Sequence, residues 1–70
     1  MLPLILANVG EDYIIQKVSG TPAVKKHLEN IGIVLGSKVS VVSKVNENII
    51  IKVKGVKVAL SHELAKRIMV

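Results

Sequence analysis

Seventy residues, half of them apolar, with ten Lys and Arg against five Asp and Glu, make a small and basic chain. A chain of this length has room for one small core, so we expect residues 1–70 to form a single domain. The lack of cysteine excludes a disulfide framework, a thiolate metal site and a thiol nucleophile. The net charge of +5 favours acidic partners in general, whether nucleic acid, anionic lipid or an acidic protein face.

The N-terminal segment, Met1–Ala7, is apolar but only seven residues long. It lacks the basic stretch of a signal peptide and is far shorter than the ~20 residues of a membrane span. We therefore expect no direct membrane insertion, and the cysteine-free composition is compatible with a cytoplasmic location. After a turn that ends at Gly10, residues 12–18 are predicted to form a first strand, with Ile14 and Val18 on one face.

The segment that follows carries the signals of a short helix. Thr21 is a typical N-cap, and Pro22 suits the first helical position, where its missing N–H costs nothing. Gly32 stands where a left-handed C-terminal cap is needed, which would let Ile33 fold back onto Leu28. The apolar stripe of this helix comprises Val24, Leu28 and Ile31.

Beyond Gly36 the apolar residues alternate as in a strand. The predicted buried face of this strand comprises Val39, Val41 and Val45. Residues 46–48 are predicted to form a three-residue hairpin loop with Asn48 at positive φ. Lys54 and Gly55 then suit a two-residue turn between two further strands. That turn predicts the cross-strand pairs Val53–Val56, Ile51–Val58 and Ile49–Leu60, all on one face.

Ser61 begins a predicted helical turn that runs to about Ala65, and residues 68–70 form a last strand. The elements together predict a mainly β fold. It is a small SH3-like barrel of about five strands, with one short helix after the first strand and a helical turn before the last. Closing the sheet into a barrel would also protect its edges from pairing with other chains.

Few residues of the chain are of the types that bind metals or act as catalytic nucleophiles. A metal site could in principle use His27, His62, Glu63 and Asp12, but no pair of them has the spacing of a metal motif. Ser61, His62 and Glu63 are adjacent, and neighbours in a helical turn point apart, so they do not predict a nucleophilic site. We therefore expect no catalytic residues, no cofactor and no metal site.

The lysines raise a separate question, that of nucleic-acid binding. A basic patch around the second hairpin would comprise Lys52, Lys54 and Lys57, with Lys38 and Lys44 on the adjacent strand. Such contacts give affinity that depends on salt and not on sequence. Tyr13 is the sole aromatic residue, and base stacking needs more aromatic surface than it offers. Nucleic acid is thus a disfavoured partner on composition.

One run of the chain combines a helix end with two spaced glycines: Leu28-x-x-Ile31-Gly32-Ile33-x-x-Gly36-x-x-Val39. Around it lie the leg that ends in Gly10, the run Val58-Ala59-Leu60, Ala65 and the closing Ile68-x-Val70. With these features the chain resembles the FeoA family over nearly all its length, and the glycine-spaced run is the most specific part of the resemblance. Many relatives have a basic residue, commonly Arg, where this chain has His27, and many have Pro where it has Leu35.

The resemblance implies a cytoplasmic, non-enzymatic adaptor that regulates ferrous-iron uptake. Its partner would be the cytosolic G-protein portion of a FeoB-like membrane Fe(II) transporter. The loop after the helix has a surplus of apolar residues beside a basic helix face, which also favours self-association or an apolar docking face. The predicted contact residues are Lys25, His27, Ile33 and Leu35, with Leu28 as support beneath them.

The same barrel also resembles the C-terminal domain of DtxR-type metal-dependent repressors, and a fold does not fix a function. The alternative functions are therefore a basic small-barrel nucleic-acid-binding module and a DtxR-like regulatory module. A third reading is an Fe²⁺-binding chaperone that uses His27 or His62.

Overall fold

The computed structural model describes all 70 residues and arranges six short strands in two sheets, with two helices between them. In chain order the elements are β1 (Asp12–Ile14), β2 (Lys17–Val18), α1 (Pro22–Asn30), β3 (Lys38–Val45), β4 (Asn48–Val53), β5 (Val56–Ser61), α2 (His62–Ala65) and β6 (Ile68–Met69). One sheet has the order β1-β3-β4-β5, and β2 pairs with β6 in the other. All pairs are antiparallel. The predicted mainly β architecture is confirmed, with six strands in place of about five.

The core is aliphatic throughout, and no polar residue is buried. Its centre is the inner face of β3 and β4, where Val39, Val41 and Ile51 are almost fully buried. Both helices, β5, β6 and several loop residues add to this cluster, since β-branched and leucine side chains pack well on a pleated surface. The remaining core residues are Leu4, Ala7, Ile15, Leu28, Ile33, Ile49, Val53, Leu60, Ala65 and Ile68.

Helix α1 begins and ends as its sequence predicts. The Thr21 hydroxyl oxygen accepts a hydrogen bond from the Val24 N–H at 3.3 Å. At the other end Gly32 adopts φ +99°, and its N–H donates to the Glu29 carbonyl at 3.0 Å. The Ile33 N–H donates to the Leu28 carbonyl at 2.9 Å, which completes a Schellman motif and buries Ile33 beside Leu28.

The hairpin of β4 and β5 is also confirmed in register. Ile51 lies opposite Val58, and Val53 lies opposite Val56, as predicted. Lys54 at φ 52° and Gly55 at φ 79° form the two-residue turn. Positive φ at both central positions is the type I′ geometry, whose twist matches that of the flanking strands.

The predicted first strand is wrong in its continuity and in its faces. The chain leaves β3 after Ile15, whose N–H donates to the Ser37 carbonyl at 2.9 Å. The Gln16 N–H then donates to the Met69 carbonyl of β6 at 2.7 Å. Ile15 is buried and Ile14 is 46% exposed, as regular alternation along β1 requires, and the corner that follows moves Val18 into the other sheet. Ile14 therefore does not share a buried face with Val18.

A β-bulge corrects two further predictions. The register of β3 against β4 shifts between Val41 and Ser43, so the faces of the two ends of β3 are exchanged. Val45 is consequently exposed, not buried with Val41. The shift also shortens the hairpin loop to two residues: Asn48 belongs to β4, and Asn46 takes the positive φ of 54°.

The chain ends meet and close the second sheet. Leu2 and Val70 exchange two backbone hydrogen bonds of 2.8 and 2.7 Å, and Pro3 forms a bridge with Met69. The predicted helical turn before this strand is confirmed as α2, and the Ser61 hydroxyl oxygen caps it by accepting from the Leu64 N–H at 3.3 Å. Neither helix has the length and apolar character that crossing a bilayer requires.

Candidate partner-binding site

A groove of about 280 Å³ runs between α1, β2 and the loop that follows α1. Half of its lining residues are apolar, and the others are charged or amide side chains. We call it the helix groove. Its lining residues are Gln16, Lys17, Val18, Lys25, Glu29, Ile33, Val34 and Leu35.

The structure brings three of the five predicted contact residues together at this groove. Lys25 comes from α1, and Ile33 and Leu35 come from the loop. Leu28 is fully buried, in the supporting position that the sequence predicted for it. His27 is exposed on α1 but does not line the groove.

Two glycine turns fix the loop that presents Leu35. The Schellman motif at Gly32 reverses the chain, and Gly36 at φ +84° turns it again into β3. The Gly36 N–H donates to the Ile15 carbonyl at 2.9 Å, which ties the loop to the corner between the sheets. Leu35 is nevertheless 66% exposed, so a firmly held backbone presents an apolar side chain to solvent.

The sequence did not predict the opposite wall of the groove, which β2 provides. Gln16, Lys17 and Val18 reach the groove because β2 leaves the first sheet to pair with β6. Glu29 and Val34 complete the lining. No local signal marks these residues, since a corner between sheets depends on contacts with the distant residues 67–69.

The groove carries charges that have no partner within it. The structure contains two ion pairs, Lys38 with Asp12 at 3.4 Å and Lys66 with Glu63 at 3.2 Å, and both lie elsewhere. Lys17, Lys25 and Glu29 therefore remain free around an apolar floor. Such an arrangement suits an apolar side chain of a partner that is flanked by an acidic group.

The two histidines and the nearby acids do not come together. No group of three or more His, Asp or Glu side chains in the structure could hold a metal ion. His27 lies on α1, and His62 lies on α2 at the edge of a different hollow, beside Lys44. Ser61 serves as the N-cap of α2.

Two acidic residues at the start of β1, Glu11 and Asp12, accept side-chain hydrogen bonds that lower their pKa values. The Asn8 side-chain amide and the Tyr13 hydroxyl donate to Glu11, and these bonds lower the pKa of Glu11. The Ser40 hydroxyl and, less strongly, Lys38 lower the pKa of Asp12.

The predicted basic patch is divided by the fold. A hollow of about 500 Å³ lies on the outer face of the first sheet, and none of its lining residues is a hydrophobic one. We call it the basic hollow; its lining residues are Ser37, Lys38, Ser40, Lys52, Lys54 and Gly55. Lys57 lies directly opposite Lys52 at its edge. Lys44 does not join them, because after the bulge its ammonium donates to the Ile5 carbonyl at 3.0 Å.

Comparison with known proteins identifies the protein family to which this chain is similar. A family model described as the FeoA domain matches residues 2–70. A Methanocaldococcus jannaschii protein assigned the name Fe(2+) transport protein A is 37% identical over 70 residues, which span 100% of this chain and 85% of that protein.

Solved structures agree in fold. A crystal structure of an iron uptake regulatory protein, FeoA, superposes with a TM-score of 0.90 at 29% identity, over 97% of this chain and 92% of that one. FeoA of Stenotrophomonas maltophilia, described as an SH3 domain protein complexed with zinc, superposes with a TM-score of 0.81. Its identity is 23%, over 99% of this chain and 88% of that one, so it speaks for the fold alone. The predicted SH3-like fold is confirmed, and the chain belongs to the FeoA family of ferrous-iron transport accessory proteins.

Proposed function

We propose that this protein is a non-enzymatic, cytoplasmic adaptor that regulates ferrous-iron uptake. Its partner is the cytosolic G-protein portion of a FeoB-like membrane Fe(II) transporter, and the helix groove is the contact surface. Membership in a family of ferrous-iron transport accessory proteins supports the process. The groove supports the mode of action, because it offers binding contacts on a rigid frame.

Leu35 is the observation on which the contact surface depends. Leu35 is 66% exposed on a loop held at both ends by backbone hydrogen bonds, so the backbone loses little conformational entropy when a partner covers the side chain. Burying one leucine side chain contributes about 1.5–3 kcal/mol. Ile33 and Val34 beside it extend the apolar floor.

The free charges around this floor define the matching surface of the partner. Lys17 and Lys25 stand on opposite walls of the groove, and neither has an ion-pair partner. An apolar partner residue next to a carboxylate would cover the apolar floor and pair with the lysines of the walls. Charge at the rim of an interface mainly sets the association rate and the register, while the buried apolar anchor supplies most of the affinity.

An NMR titration tests the proposal. The ¹⁵N-labelled protein is titrated with the cytosolic G-protein portion of the ferrous-iron transporter from the same cell, in each nucleotide state. We expect the amide shifts to cluster on residues 16–18 and 25–36. Absence of shifts in every nucleotide state would contradict the adaptor function.

Two matched leucine variants test the surface. Leu35→Asp should weaken transporter binding by about tenfold or more, because it places a charge in the apolar contact. Leu6→Asp is the control, since Leu6 is 63% exposed but lies outside the groove. If Leu35→Asp folds and binds as well as Leu6→Asp does, the groove is not the contact surface.

A further inference from the structure

The basic hollow is a second surface with its own chemistry, and it lies beside the helix groove. Leu35 lines the groove and Ser37 lines the hollow, so the two surfaces meet at the turn of Gly36. Unlike the groove, the hollow presents ammonium groups, hydroxyl groups and glycine backbone without any apolar side chain.

Positive charge is concentrated at the hollow and is only partly compensated. The only carboxylate on this face is Asp12, which lies at the edge of the sheet and is bound by Ser40 and Lys38. Lys52, Lys54 and Lys57 form no ion pair. These three lysines and Lys38, less one carboxylate, carry three of the five net positive charges of the protein.

Two local features of the hollow work against the stability of the fold. Lys52 and Lys57 lie directly opposite each other on neighbouring strands, and like charges in that position repel. Lys54 stands at φ 52°, in a turn position that Asn or Gly fills with less strain. Departures from local rules that have no structural compensation are expected at functional sites.

The chemistry of the lining selects the ligand. Three lysines converge with the Ser37 hydroxyl, which forms no hydrogen bond within the protein and is free to donate. A single carboxylate would neutralise one of these charges, whereas a phosphate group carries between one and two negative charges and three acceptor oxygens.

We propose that the basic hollow binds a phosphate group, from a small phosphate-bearing ligand or from a phospholipid headgroup. Lys38, Lys52 and Lys54 neutralise the anion, and the Ser37 hydroxyl donates a hydrogen bond to it. The bound anion also relieves the repulsion between Lys52 and Lys57. Ligand binding at the hollow is separate from transporter binding at the groove, and each can be tested without the other.

Titration with inorganic pyrophosphate, followed by the amide shifts of the ¹⁵N-labelled protein, tests the proposal. Sodium chloride at equal ionic strength serves as the reference. We expect saturable shifts confined to residues 37–40 and 52–57. Shifts that are absent, or that do not saturate and extend equally to the lysines of α1, would overturn the proposal because they would report general screening.

Variants separate binding from folding. Lys54→Asn should weaken pyrophosphate binding by about fivefold while it keeps or raises Tm, because it removes a charge and also relieves the turn. Lys26→Gln, which removes one charge from the exposed face of α1, should bind as the wild type does. Equal losses in the two variants would overturn the assignment of the hollow.

A sedimentation experiment with lipid vesicles distinguishes the two sources of phosphate. The protein is sedimented with phosphatidylcholine vesicles that contain phosphatidic acid, with and without pyrophosphate. Sedimentation that pyrophosphate abolishes and that Lys54→Asn weakens identifies a headgroup, and its absence alongside saturable pyrophosphate binding identifies a soluble ligand. Tight binding of a duplex oligonucleotide that pyrophosphate does not displace would overturn the proposal in favour of a nucleic-acid interface.

Discussion

Individual side chains at the edge of the first sheet fix how β1 joins β3. Asp12 lies opposite Ser40, accepts a hydrogen bond from its hydroxyl at 2.5 Å, and forms an ion pair with Lys38. These contacts stabilise the ionised form of the carboxylate, so the pKa of Asp12 falls below its ordinary value of 3.8. All three residues are close to solvent, which keeps the energetic contribution small.

Asp12→Asn should reveal this contribution through its dependence on pH. Because the folded pKa is the lower one, ionised Asp12 stabilises the fold above the unfolded value of 3.8, and the effect is lost as the pH falls through the folded value. In urea unfolding the variant should be slightly less stable than the wild type at pH 7. The difference should shrink as the pH falls below 3.8 and the Asp12 carboxylate becomes protonated.

The control for this measurement is Glu47→Gln. Glu47 lies in the β3–β4 turn and takes part in no side-chain hydrogen bond or ion pair. Its variant should be about as stable as the wild type at pH 7, because it breaks no such contact. A deficit of Asp12→Asn that stays constant down to pH 2 would mean that packing, and not charge, is responsible.

Among the elements, α1 is the one whose boundaries are most completely encoded in its own sequence. Its cap at Thr21, the proline at its first position and its glycine stop all belong to a run of a dozen residues. Leu28 is fully buried, and Val24 and Ile31 pack against the core from half-buried positions. The caps therefore fix where the helix begins and ends, while packing of this apolar stripe supplies most of its stability.

Thr21→Ala should lower the free energy of unfolding by about 1 kcal/mol, because it leaves the Val24 N–H without its side-chain acceptor. Thr21→Ser keeps the hydroxyl oxygen and should recover most of this loss. Urea denaturation of the three proteins provides the comparison. If the serine variant is as unstable as the alanine variant, the cap hydrogen bond is not the cause.

At the scale of the whole molecule, closure depends on the N-terminal leg. Its 3-10 helix, Leu4–Leu6, places Leu4 in the core and leaves Leu6 in solvent. The two hydrogen bonds between Leu2 and Val70 hold this leg against β6. A core this small supplies only ~3–5 kcal/mol, so one lost side chain matters greatly.

Leu4→Ala should cost about 3 kcal/mol, because it removes a fully buried side chain and leaves a cavity. That loss is comparable to the whole stability expected for the chain, so a large unfolded fraction should appear at 25 °C. Leu6→Ala, two residues away on the same turn, should change the stability by less than about 0.5 kcal/mol. Similar circular dichroism melting curves for the two variants would contradict this view of the core.

The sequence by itself determined the elements whose information is local. The Thr21 cap, the Gly32 stop and the Lys54–Gly55 turn are each specified within a few residues, and the register of β4 with β5 follows from the turn. The same locality explains why Lys25, Ile33 and Leu35 could be predicted as neighbours. They lie on one helix and on the loop that its Schellman motif directs.

Only the tertiary structure decided where the alternation of a strand breaks. The bulge after Val41 exchanges the faces of Lys44 and Val45, and the corner at Ile15 moves the chain from one sheet to the other. At both breaks the backbone bonds to segments far along the chain, namely residues 10–11 at Val41 and residues 67–69 after Ile15, so no window of sequence contains them. The corner at Ile15 also places β2 as a wall of the helix groove. That wall depends on pairing between distant segments, and this pairing depends on how the whole core closes.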